Sequence, residues 1–226
     1  MSSLHDLVQS DRNHTCGGVG PAEVCVRIVS VADLPTRFGT FRIVAFWNNR
    51  DACDHVAIVK GEIVGQPDVL TRLHSECLTG DALGSLRCDC RDQLEASLRC
   101  IEQAERGVVL YLRQEGRGIG IMNKIRAYSL QDQGLDTVDA NHALGFRDDE
   151  RDYAIAAHML QSLRVESVQL MTNNPNKVNQ LTQYGVTVSS RVPHALPPNP
   201  HNAFYLRTKA ERSGHLLEVP TEAAGD

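Results

Sequence analysis

The sequence predicts a mixed α/β (α+β) fold, with a β-rich N-terminal part followed by alternating helices and strands around a mixed sheet. Three observations predict it. Runs rich in β-branched residues, separated by turn residues, fill the stretch from Val24 to about Leu70. After Cys90 the pattern changes to amphipathic helix alternating with short apolar strand. A strand, a turn rich in glycine or asparagine, and a helix then follow one another twice.

The elements justify this in order. Residues 1–23 are polar and small, ending Cys16-Gly-Gly-Val-Gly-Pro21, and read as a flexible extension. Val24 to Ser30, Phe38 to Phe46 and Val56 to Lys60 read as strands, the second entered through a glycine turn. Leu94, Leu98 and Ile101 recur at helical spacing, so a helix runs from about Asp92 toward Gly107, which serves as its C-cap. Val108 to Leu112 is a buried strand, Glu115 to Gly120 a glycine turn, and a helix follows through Gln131. A helix from about Asp149 carries Tyr153, Ala156, Ala157 and Leu160 on one face. Val168 to Met171 is a strand, and the turn Thr172 to Lys177 leads to a helix ending at Gly185. Val192 to Pro200 is a proline-rich loop. A single domain therefore spans residues 24–217, with a frayed tail at 218–226.

Composition narrows the function classes. The chain has 226 residues, 42% of them hydrophobic, enough for a substantial core. A formal net charge of -5 argues against a nucleic-acid partner held by bulk electrostatics, while a local Arg and Lys cluster can still hold a small anion. No apolar stretch is long enough to span a membrane, and the N-terminus has neither a basic nor an apolar signal region. The expectation is a cytoplasmic protein with reduced thiols, which the odd count of seven cysteines fits.

The most informative stretch is Arg72 to Cys90, which sets three thiols, Cys77, Cys88 and Cys90, within reach of one another. Thiolates favour zinc or an iron cluster over magnesium or calcium. Three protein ligands leave a fourth tetrahedral position open, whereas four close the site. Residues two apart on a strand face opposite ways, so Cys88 and Cys90 share a metal only if the chain turns between them. Cys90 falls just before a helix start, where the helix dipole favours a thiolate. Three other readings stand beside this one. The cysteines can be ordinary core residues, or His74 can be a fourth ligand of a structural site. His74-Ser75-Glu76 also matches the H-x-E of zinc nucleobase deaminases, but the P-C-x-x-C that should accompany it is missing.

Other candidates lie downstream. Glu115-Gly-Arg-Gly-Ile-Gly120 matches neither the dinucleotide fingerprint nor the P-loop, yet its glycines and helix start suit an anion. Arg113, Arg117, Lys124 and Arg126 flank it as a candidate phosphate cluster. Tyr128 is a core aromatic whose hydroxyl can reach a polar site at the end of its helix face. Asp148 to Arg151 reads as a helix cap with first-turn acids, and Asp149 and Arg151 can both point into a cleft from there. Thr172 and Lys177 bracket a turn suited to a phosphate or ribose.

Taken together, these motifs resemble the GTP cyclohydrolase II family. The resemblance runs over about residues 26–217, through Arg72 to Ala82, Cys88-Asp-Cys90, Arg113 to Gly120, Lys124 to Tyr128, Gln131-Asp132, Asp136-Thr137 and Thr172 to Lys177. It implies the following. Cys77, Cys88 and Cys90 hold one catalytic Zn2+, whose water attacks C8 of guanine, opens the imidazole ring and releases formate. Tyr128 assists. Arg151 is the family's proposed nucleophile toward the α-phosphate, releasing pyrophosphate, with Asp149 as proton acceptor. A guanidinium with a pKa above about 12 is a poor nucleophile, so charge stabilisation is the physical alternative. Arg72, Leu73, His74, Ser75, Glu76, Gln93, Glu115, Gly116, Arg117, Thr137, Thr172 and Lys177 match GTP-binding positions. Mg2+ accompanies the triphosphate. A homodimer and a place at the start of riboflavin biosynthesis are also implied. Two rivals remain: a relative that stops at the ring-opened formamide, and a nucleotide-binding protein with a structural zinc site.

Overall fold

A computed structural model describes residues 3–12 and 23–202, together with 207, 208, 210, 212, 214 and 216. A seven-stranded mixed sheet forms its centre. The strands are β1 (Val26–Thr36), β2 (Gly39–Asn48), β3 (His55–Lys60), β4 (Val69–Ser75), β5 (Gly107–Leu112), β6 (Val168–Met171) and β7 (Val188–Val192). Their spatial order is β1-β2-β3-β5-β4-β6-β7. The first three strands and β5 pair antiparallel, whereas β5, β4, β6 and β7 pair parallel. The expected β-rich start and later alternation both appear.

Alternation along β5 explains the two layers. Val108, Leu110 and Leu112 point to one face and Val109 to the other, all fully buried. A strand covered on both faces reads as a continuous apolar run. One face packs on α1 (Leu4–Asp11), α5 (Ala154–Ser162) and α6 (Pro175–Gln183). The other packs on α2 (Cys90–Gln103), through Leu98, Ile101, Phe41 and Met171. Helices α3 (Gly120–Gln131) and α4 (Thr137–Ala143) complete the fold.

Several expectations need correction. The N-terminal stretch is not loose at its start, because Leu4–Asp11 is a helix. Ser3 and Asp6 form a reciprocal capping box there, and Leu4 and Leu7 insert into the main core. Residues 13–22, including Cys16, lie outside the described residues, as do 217–226. Gly107 is not a helix cap but the first residue of β5. A Cβ there would lie 2.6 Å from the Leu70 carbonyl oxygen, so glycine permits close strand approach, and α2 instead ends at Ala104. The helix expected from Asp149 begins at Ala154, where the Asp152 carboxylate accepts the first backbone N–H. Reduced thiols hold for Cys53, Cys77, Cys88, Cys90 and Cys100, but Cys25 is disulfide-bonded. Strands β4 and β7 and helix α4 went unread in the sequence. Among the described residues, no helix is long and apolar enough to cross a membrane.

Candidate metal and active site

Strands β4 and β5 lie side by side and parallel, so their chains leave the sheet at the same edge. Ligands in open α/β sheets bind at that carboxyl edge. After β4 the chain tightens into a π-helical turn, Leu78–Ala82, bearing Cys77 at its entrance. Cys88 follows on a loop, and Cys90 is the first residue of α2. After β5, a tight turn at Glu115–Gly118 leads into α3.

This brings the three thiols together. The sulfurs of Cys77, Cys88 and Cys90 all lie within 4.8 Å of one another, with Cys77 and Cys88 3.6 Å apart. Two sulfurs on a tetrahedral zinc, at Zn–S of about 2.3 Å, stand about 3.8 Å apart. Among the described residues, no other His, Cys, Asp or Glu joins the group. The imidazole of His74 is occupied elsewhere, with its Nε2 3.0 Å from the Asp81 carboxylate. The donor set therefore fits a soft metal with three protein ligands.

Gly80 makes the cluster possible. A Cβ at this position would lie 2.8 Å from Cys88 Sγ, 3.1 Å from Cys77 Sγ and 3.1 Å from Cys90 Cβ. Its N–H also donates to Cys77 Sγ at 3.4 Å. No periodicity or spacing marks that glycine in the sequence.

Asp81 fixes the turn. Its carboxylate accepts from the Cys77 N–H at 3.0 Å and from the Tyr111 hydroxyl at 2.9 Å, besides His74. Burial pushes His74 below its usual range, so the imidazole is neutral at pH 7 and donates Nε2–H to Asp81. Asp81→Ala strands three buried donors and is expected to destabilise the fold by about 3 kcal/mol, measured by urea unfolding. A loss below about 1 kcal/mol would mean the turn holds without its carboxylate.

The three thiols differ in how tightly they hold their protons. Hydrogen bonds from Cys88 and Cys90 push the Cys77 thiol down, with Lys124 adding to the effect. The Cys77 sulfur in turn pushes Cys88 up to about 11, and Cys90 is also pushed up. To hold a metal through all three sulfurs, Cys88 and Cys90 would have to give up their protons. The apparent metal affinity should therefore fall as pH drops, by about a hundredfold per unit for two protons. Chelator competition at several pH values checks this, and a flat profile would rule it out.

Beside the thiols opens a cavity of about 410 Å³. Ser75, Glu76, Glu115, Gly116, Arg117 and Thr137 line it, as do Tyr128, Arg151 and the three cysteines. Tyr128 reaches it from α3 with its hydroxyl 3.4 Å from Thr79 Oγ1. Burial holds its phenol above the usual range, which keeps it a proton donor at neutral pH. Arg151 enters from the loop before α5. Asp149 grips it through Nε at 2.8 Å and Nη2 at 2.5 Å, and Nη1 lies 3.3 Å from Ser75 Oγ. Burial raises the Asp149 carboxyl, but the hydrogen bonds and charge of Arg151 prevail and hold it low. Asp149 is thus an ionised clamp. The glycine turn positions this loop: Glu150 N–H donates to the Arg117 carbonyl, and Gly118 leaves room for the Glu150 backbone 3.2 Å from where a Cβ would sit.

Other expected residues lie behind the wall. Arg72 is buried with its guanidinium on Gln93 Oε1 at 2.5 Å and the Met171 carbonyl at 2.9 Å. Gln93 in turn donates to Asp89 at 2.5 Å. Leu73 is fully buried. Thr172 Oγ1 accepts from the Asn174 N–H, and Lys177 Nζ donates to the Leu73 carbonyl at 2.8 Å. The supposed phosphate cluster disperses. Arg113 lies near Glu76, Arg126 donates to Asn123, and Lys124 turns to the thiols. Positions 124 and 126 stand about 200° apart around a helix, so they cannot share a face. Arg117 alone of the four arginines and lysines keeps a cavity position without a thiol contact.

Three clustered thiols facing an open cavity suit the class of enzyme that could hold a metal through three protein ligands, in contrast to structural zinc knuckles whose fourth ligand closes them. A family model described as GTP cyclohydrolase II matches residues 26–193. The chain is 56% identical over 193 residues to GTP cyclohydrolase-2 of Aeromonas hydrophila, covering 85% of this chain and 98% of that one. It is 58% identical over 195 residues to GTP cyclohydrolase-2 of Klebsiella pneumoniae, covering 86% and 98%. It is 53% identical to the riboflavin biosynthesis protein RibBA of Endomicrobium trichonymphae over 228 residues, covering 96% of this chain and 56% of that protein. The chain belongs to the GTP cyclohydrolase II family.

Proposed function

We propose that this protein hydrolyses GTP to a diaminopyrimidine phosphate, formate and pyrophosphate, in riboflavin biosynthesis. The observation that carries this reading is the open thiolate triad beside a cavity holding Tyr128 and Arg151. Cys77, Cys88 and Cys90 would hold the zinc. When bound there, zinc supplies a Lewis acid that makes water nucleophilic near neutral pH.

The remaining work falls to the chain. Tyr128, protonated and facing the cavity, donates a hydrogen bond where charge develops on the opening ring. Arg151 meets the α-phosphate. Asp149 is too weak a base, held low as it is, to strip a guanidinium of its proton. Arg151 therefore acts by charge, with Asp149 orienting it. Arg117 and the turn amides of Glu115–Gly118 hold phosphate oxygens. Ser75, Glu76 and Thr137 contact the nucleotide, and Arg72, Leu73, His74, Gln93, Thr172 and Lys177 shape the wall behind it. The triphosphate enters with Mg2+. The protein works in the cytoplasm as a homodimer, and exposed Leu83, Leu86, Met122 and Ile125 suit a covered face.

Product analysis tests this reading. Incubation with GTP and Mg2+ should release formate and pyrophosphate, and a zinc chelator should abolish formate. Mass spectrometry of the nucleotide distinguishes full hydrolysis from a halt at the formamide. Absence of both small products would leave only a nucleotide-binding role.

A further inference from the structure

Lys124 occupies a place that its neighbours in sequence do not. Its Nζ lies 3.1 Å from Cys77 Sγ and 2.7 Å from Glu115 Oε1. Both head groups are largely buried, at 11% and 9% exposure. Glu115 is itself fixed: Oε2 accepts the Leu78 N–H at 2.7 Å, and Oε1 accepts the Gly116 N–H at 2.7 Å. One carboxylate thus ties the turn after Cys77 to the turn after β5 and aims the ammonium at the sulfur. The lysine stem reaches there because residue 116 is glycine. A Cβ on Gly116 would lie 3.2 Å from Lys124 Cβ, at a φ of +63° that side chains rarely adopt.

We propose that Lys124 is a positioning residue of the metal centre, donating to the Cys77 sulfur and withholding part of that thiolate's charge from the bound ion. This inference rests on the reading that the triad binds metal. Three thiolates on a dication leave a net charge of -1 and a poor Lewis acid. A charge-assisted hydrogen bond to one sulfur weakens its donation, as partners beyond the ligands do elsewhere. Cys77 is the sulfur so treated: it also takes the Gly80 N–H and lies 3.6 Å from the Thr79 hydroxyl.

Co2+ substitution in the full chain tests this directly, since the sulfur-to-cobalt charge-transfer band reports how strongly the thiolates donate. Lys124→Met keeps the stem and removes the donor. Its band should move to longer wavelength, because the freed sulfur donates more strongly. Lys124→Arg, which restores a charged donor, should return the band toward the parental position. Lys124→Leu, which likewise carries no hydrogen-bond donor, serves as the second neutral variant if the methionine form does not fold. An unmoved band in a folded neutral variant overturns the proposal, whatever its activity. A parental chain that shows no cobalt–sulfur band overturns the metal reading itself, and this inference with it.

Discussion

Gly80→Ala is expected to empty the thiolate site, lowering metal content at least about tenfold and formate release with it. The added methyl carbon would sit 2.8 Å from the Cys88 sulfur, closer than real Cβ contacts allow, and a tight 3.1 Å from the Cys77 sulfur. The π-helical turn cannot yield easily, because Asp81 anchors it through three donors. The sulfurs must therefore spread. Metal analysis after desalting, alongside circular dichroism to show an intact fold, is the measurement. Full metal occupancy in the alanine variant would show that the triad has slack the geometry does not reveal. Cys88→Ser, which removes a ligand outright, gives the reference for a lost site.

Arg151→Ala is expected to slow pyrophosphate release by about a hundred- to a thousandfold, the usual cost of removing a donor aimed at developing charge. The side chain is clamped by Asp149, lies against Ser75 and faces the cavity, so its loss removes a fixed positive charge from the lining. Arg151→Lys distinguishes the two chemical readings. If charge is what matters, lysine retains part of the rate. If the guanidinium itself bonds to phosphorus, the alanine variant forms no covalent nucleotidyl–enzyme species, whereas the parental chain can be trapped as one. Pyrophosphate release at the parental rate from the alanine variant would remove Arg151 from the reaction.

The thiol triad was legible in the sequence because its three members lie within fourteen residues and run up to a helix that the apolar spacing marks, although that helix starts at Cys90 itself and not after it. Strands β1 to β3 and β5 were legible from their β-branched runs. Strand β4 was not. Thr71, Arg72 and His74 are polar yet buried, so they break the alternation that signals a strand, and for Arg72 and His74 only the partners Gln93, Met171 and Asp81 explain the burial. Those partners come from elsewhere in the chain, which no local window sees. The contacts of Lys124 are not legible in the sequence for a related reason. Among basic neighbours it resembles a phosphate ligand, and only the arrival of Cys77 and Glu115 from other loops gives it a different task. The start of α5 was misplaced because the acids at 148–150 imitate a cap, although Asp149 spends its carboxylate on Arg151.

The buried guanidinium of Arg72 has a mechanical consequence. It couples β4 to α2 through Gln93 and to β6 through the Met171 carbonyl, and Lys177 adds a strut from α6 to β4. The wall behind the cavity is thereby cross-braced, whereas other parts of the lining come from short α4 and the loop bearing His201. Amide hydrogen exchange should find the protons of β4 and β5 among the last to be replaced and those around Thr137 among the first, so a guest molecule comes and goes over the yielding side while the rigid side keeps the sulfurs in place.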